Sequence, residues 1–171
     1  MSKIRRRSEA LQYSVPVTWE GNRGPGTVDY AGYDRTFRVR VAGKPELEGS
    51  ADPAFRGDGS RYNPEELFLA SLAACHMLFY LSLCARQGIV VLAYEDRASG
   101  ALLRLDDGGG RFERITLTPV VTIAAGDDTE AAVRVHEQAH ERCFIAGSTS
   151  VEIRVIPTVR AESATVSPGA R

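Results

Sequence analysis

Read along the chain, the alternation of apolar and polar positions predicts strands first, then one long helix, then strands around a shorter helix. Tyr13 to Glu20 and Thr27 to Tyr33 are extended candidates separated by the glycine-rich turn Gly21 to Gly26. Thr36 to Val41 alternates cleanly, with Phe37, Val39 and Val41 on one face and Arg38 and Arg40 on the other, the pattern of a half-buried strand. Ser50 to Arg61, rich in Gly, Asp and Pro, reads as a loop. Asn63 then suits a helix cap, Pro64 the first helical position, and Glu66 the third position of a capping box. The helix should run to about Gln87, where Gly88 terminates it.

Leu67 to Ala85 is apolar almost all round, which predicts either a membrane span or burial on every side. Ser71, His76 and Ser82 interrupt the run, and it stands alone in a half-polar chain. The sequence therefore favours a central helix covered by sheet on one side and by a second subunit on the other. Beyond it, Ile89 to Tyr94, Ala101 to Leu105, Arg111 to Ile123 and Ser150 to Ile156 read as strands. Asp127 to Thr129 opens a second helix that should end near Arg142, and the tail from Pro157 is polar and expected to be loose. The order predicts an α+β fold in a single domain spanning 1–171, with about 1–10 and 158–171 as flexible tails.

Composition narrows the class. The 171 residues are 43% apolar and 25% charged with a net charge of −1, an ordinary globular profile that points to neither nucleic acid nor an anionic membrane. Lys3, Arg5, Arg6 and Arg7 precede no apolar stretch, because Leu11 to Trp19 alternates and contains Pro16. No signal peptide is expected, and a cytoplasmic location is.

Three cysteines, none in a tight pair, argue against a disulfide framework and move the question to reactivity. Cys75 lies mid-helix, where packing alone could explain it. A thiolate there would need a cation, and Arg23, Arg56 and Arg61 are the available sources. Cys143 follows the shorter helix, a natural place for a thiol that must move. Cys84, nine residues after Cys75, falls on the opposite helix face and reads as structural. Separately, His136-Glu137-Gln138-Ala139-His140 fits the H-E-x-x-H pattern of zinc hydrolases, with His76 as the one remaining histidine for a third ligand. At that spacing on a polar helix the histidines are expected to be solvated.

Asn63-Pro64-Glu65-Glu66-Leu67 through Ala73-Ala74-Cys75 resembles the OsmC/Ohr family of organic hydroperoxide reductases. Trp19-Glu20-Gly21 and Gly24-Pro25-Gly26-Thr27-Val28 resemble that family's first hairpin, and Cys143 matches its second cysteine. The resemblance implies antiparallel sheets around a long buried central helix, in an intertwined homodimer with active sites at the subunit interface. It implies that Cys75 attacks a small hydroperoxide, organic or hydrogen peroxide itself, that Cys143 resolves the sulfenic acid as a disulfide, and that an external dithiol reductant, of lipoyl type or another small dithiol, resets the pair. It implies no metal, flavin or haem. A family arginine stabilises the thiolate and Glu65 holds it, with Arg56 the better match and Arg23 the other. Ten helical residues span about 15 Å, so Glu65 and Cys75 of one straight helix cannot meet, and one site would need two chains. Phe144 stands where better-known branches carry proline, which bears on substrate preference. Two alternatives remain: a non-catalytic dimer binding a small hydrophobic ligand, and a zinc hydrolase at His136, Glu137 and His140.

Overall fold

The computed structural model describes residues 10–163. The chain divides into two compact units at Pro64/Glu65. In the first, β1 (Val17–Trp19), β2 (Phe37–Val39) and β3 (Leu47–Gly49) form an antiparallel sheet in that order. The alternation in β2 holds. Arg38 and Arg40 share one face, where they pair with Glu20 and Glu46, and Arg38 also reaches Glu48. Phe37 on the other side lies over Gly49, where a Cβ would come within 2.1 Å of its ring.

Two expectations for this unit need correction. Thr27 to Tyr33 is not a strand but a series of bends and turns. Asp29 turns the chain there, its carboxylate accepting from the Ala31 amide and its carbonyl from the Gly32 amide. Arg35 is held between the Tyr30 and Tyr33 rings. Local side-chain bonds of this kind compete with a ladder. Conversely, β3 and the 3-10 turn Pro53–Phe55 were missed, being three residues each and too short to show a period.

The second unit carries α1 (Pro64–Arg86), β4 (Val91–Glu95), β5 (Ser99–Arg104), β6 (Gly110–Leu117), β7 (Val120–Ile123), α2 (Thr129–Arg142), β8 (Glu152–Val155) and β9 (Thr158–Ala161). The stretch expected as one strand, Arg111 to Ile123, is two strands in two sheets, ordered β5-β6-β8 and β4-β7-β9. Pro119 explains the break, having no N–H to give a ladder. The segment that pairs with it, β8 to β9, breaks at the same level: Ile156 donates to the Leu117 carbonyl and Thr158 to that of Pro119, either side of Pro157. The tail from Pro157 is therefore not loose at its start, since β9 pairs with β7. In these two sheets β4–β7 and β5–β6 pair antiparallel, while β6–β8 and β7–β9 run parallel. α2 supplies the crossover that parallel pairing requires. Residues 1–9 and 164–171, which include most of the expected tails, lie outside the described residues.

α1 starts and ends as its sequence predicts, with Gly88 at φ 75° just past its end. By length and composition it could cross a membrane. Here it is a core helix: Leu72, His76, Tyr80 and Leu83, spaced four, four and three residues apart, are buried with Cys84. Leu72 packs with Ile115, Leu117 and Cys143, and Tyr80 with Val121, Ile123 and Val135. The expectation of burial on every side is not met within one chain. Ala70, Ser71, Ala74, Leu78, Ser82 and Ala85 are exposed, Leu78 at 62%.

Candidate functional site

Cys75 sits on α1 one residue before the buried face and is partly buried. Cys143 is the residue at which α2 ends, 2% exposed, in extended conformation. The fold brings these two together from positions far apart in sequence: both belong to the cluster around Leu72, Ile115 and Leu117, and the nearness of Cys75 adds to the upward push on the Cys143 thiol. Both are free thiols. Burial pushes Cys143 up to about 11, against the pull of backbone amides of Ala146 and Ile145, the former 3.5 Å from its sulfur. Cys143 thus keeps its proton at neutral pH, while Cys75 retains access to solvent. A cleft of about 600 Å³, with Phe79, Phe144 and Arg142 in its lining, opens over Cys143. The two rings meet edge to face at 5.0 Å.

Cys84 is fully buried beside Tyr80, and burial pushes its thiol up. The helical spacing had placed it opposite Cys75, and it lies in the other core cluster.

Glu65 stands in the first turn of α1 with its Oε2 buried and without a partner among the described residues. A buried oxygen without a partner is where a hydrogen-bond donor would be stabilising, since burying an unpaired polar group is costly. The two arginines weighed from the sequence differ. Arg23 is taken by Asp34, through Nε at 3.0 Å and through Nη2, and this pairing holds the Asp34 carboxyl below the usual range. Arg56 is exposed, 6.0 Å from the Tyr30 ring, and in no ion pair among the described residues. It occupies the left-handed region at φ 64°, unusual for a side chain with a Cβ. Arg61, the third source considered, pairs with Glu48 and Asp58.

The H-E-x-x-H residues are arranged otherwise than expected. His136 is not solvated: it is 2% exposed, hydrogen-bonded through Nδ1 to Nε2 of His76 at 3.0 Å, and stacked on Tyr80. His140 is half-buried and Glu137 exposed. Among the described residues no group of three His, Cys, Asp or Glu side chains is arranged to hold a metal. The buried His76–His136 pair was missed, because a helical period reports faces and not which faces of two helices meet.

Two free thiols, one half-open and one enclosed, meeting inside an α+β fold of mixed sheets, define a thiol-bearing protein with a matched cysteine pair. The chain belongs to the OsmC-like protein family, whose model matches residues 57–157. Among solved structures it is similar to an OsmC-like protein of unknown function from Vibrio cholerae, with 28% identity and a TM-score of 0.78 over 87% of this chain and all of that one. It shares its fold with an organic hydroperoxide resistance protein from Elizabethkingia anophelis, crystallised with thiocyanate bound (22% identity, TM-score 0.64, 90% and 100% covered). The same holds for one from Legionella pneumophila (21%, 0.64, 88% and 98%). No curated protein matches the chain.

Proposed function

We propose that this protein is a cysteine-based peroxidase that reduces organic hydroperoxides. The observation that carries the reading is the meeting of Cys75 and Cys143, unequal in exposure, inside one apolar cluster. The family and its hydroperoxide-resistance neighbours agree with a role in peroxide defence.

The Cys75 thiolate attacks the distal oxygen of the hydroperoxide. The O–O bond breaks, the alkoxide leaves and takes a proton as the alcohol, and Cys75 becomes a sulfenic acid. Cys143 then attacks that sulfur, water leaves, and a disulfide remains. Burial suits Cys143 to the second step, since a protonated thiol does not compete for peroxide. A dithiol reduces the disulfide by two exchanges, through a mixed disulfide, and itself closes to its cyclic intramolecular disulfide. No metal, flavin or haem takes part.

Glu65, with its unpartnered oxygen, would hold an arginine that stabilises the Cys75 thiolate, and Arg56 is the better candidate because Arg23 is already committed to Asp34. Glu65 and Cys75 are about 15 Å apart along one helix, so the carboxylate that serves Cys75 would come from a second copy. Members of this family are commonly dimeric. The exposed small-residue stripe of α1, from Ala70 to Ala85, is the face a second copy would cover.

The test is the free-thiol count and intact mass of reduced protein before and after one equivalent of cumene hydroperoxide. Two thiols should disappear, with a Cys75–Cys143 crosslink. Cys75→Ser should abolish turnover, whereas Cys143→Ser should consume about one equivalent and stop. Unchanged thiols, or full activity in Cys75→Ser, would sink the proposal.

A further inference from the structure

His76 follows Cys75 directly on α1, and His136 lies two turns before Cys143 on α2, about 10 Å of helix. Their rings join the two helices that carry the cysteines. His76 Nε2 and His136 Nδ1 are hydrogen-bonded at 3.0 Å, with the rings 9° from parallel. Tyr80, one turn beyond His76, stacks on His136 at 3.9 Å and fixes its plane. Both imidazoles are buried, at 0% and 2% exposed. A second side-chain bond between the helices, Gln87 to Gln138 at 3.2 Å, is exposed and open to exchange with water.

As a source of stability this pair is poor. Its outer nitrogens, His76 Nδ1 and His136 Nε2, are buried and without a partner among the described residues. Apolar side chains of similar volume would avoid that desolvation cost. What the pair adds is direction. Leu83, Val135 and Ala139, in the core that α1 and α2 share, attract one another without direction. A hydrogen bond between two clamped rings weakens steeply with distance and angle. Register matters to the cysteines because a disulfide closes only with its Cβ atoms about 3.5–4.5 Å apart. A slip of one helical turn, about 5.4 Å, would part them.

We propose that the His76–His136 bond is a positioning device for disulfide closure: it sets the register of α2 on α1 that holds Cys143 against Cys75. Buried as they are, neither imidazole meets the peroxide, and both act through the helices that bear them. This role rests on the Cys75–Cys143 pairing of the proposed function and concerns the step that closes the pair, not the attack on peroxide. Replacing both rings by apolar side chains should therefore slow closure while leaving stability at neutral pH intact or raised.

The test uses no peroxide. In reduced protein the Cys75 thiolate attacks dithiobis(nitrobenzoate), releases one thionitrobenzoate and is left as a mixed disulfide. The Cys143 thiolate then attacks the Cys75 sulfur, releases a second thionitrobenzoate and closes the disulfide. Wild type should release two equivalents in two phases, and Cys143→Ser one. In His76→Leu/His136→Phe the second phase should slow about tenfold to a hundredfold and the first far less, with no loss of stability in urea at pH 7. His136→Asn and His136→Ala both leave space, but only Asn keeps a polar atom near the place of Nδ1, and it should close about tenfold faster than Ala. An unchanged second phase in the double variant would overturn the inference and leave the peroxidase reading standing. So would closure rates that simply follow stability across the variants, or, should the double variant not fold, Asn no faster than Ala. A single equivalent from wild type would remove the cysteine pairing, and both proposals with it.

Discussion

Acid should unfold this protein through its buried imidazoles. His76 and His136 lie at about 4 and about 3, against 6.5 for a free histidine, because their burial penalises the charged form. Since both folded values are depressed, the unfolded chain takes up the extra protons as pH falls. Their penalty is absent above about pH 6.5 and grows as pH drops towards 4 and then 3. At pH 4.5 each ring forgoes a protonation worth about 2.5 kcal/mol, so the pair costs about 5 kcal/mol, an upper bound because water entry would relax it. Small domains have only about 5–15 kcal/mol to lose.

Other groups act differently. Asp96, pushed up by burial, favours folding on acidification and opposes the loss. Glu20, Asp34, Glu46, Asp58 and Glu152, held below the usual carboxylate range chiefly by arginine partners or, for Asp58, by Ser60, are lost only at lower pH and are exposed enough to matter little. The assay is urea unfolding at pH 7.0, 5.5 and 4.5, on wild type and on the double variant His76→Leu/His136→Phe. Removing both rings together avoids stranding one polar partner. The variant should lose several kcal/mol less than wild type over that range. Equal losses in the two proteins would refute the assignment.

Three further outcomes are expected. Leu72→Ala, at a fully buried position beside Cys143, should cost about 2–5 kcal/mol in urea unfolding. Gly57→Ala should destabilise the first unit by about 1–3 kcal/mol, since a Cβ there would lie 1.6 Å from the Ala51 carbonyl oxygen and backbone would have to move. Arg56→Ala should slow thiol loss to cumene hydroperoxide more than Arg23→Ala does, read by stopped-flow; the reverse order would transfer the activating role to Arg23.

Local rules determined a good deal here. Pro64, Gly88 and the apolar run between them defined α1, because caps and period act within one segment. Asp128 started α2 as expected, its carboxylate accepting from the amides of Glu130 and Ala131. The half-turn between Cys75 and Cys84 separated a reactive candidate from a core cysteine by helix geometry alone.

What depended on partners was not legible. Apolar runs on either side of Pro119 look like one strand until each half finds its own sheet, and the parallel partners β8 and β9 are remote in sequence. Thr27 to Tyr33 had strand composition, but Asp29 and Arg35 bonded locally. His136 and His140 read as surface residues on a polar helix. Only the packing of α2 against α1 set His136 on His76 and closed water out. The chain's own residues fix which side chains can react, while long-range packing decides which of them meet and in what dielectric, and that second choice is what brought Cys75 to Cys143.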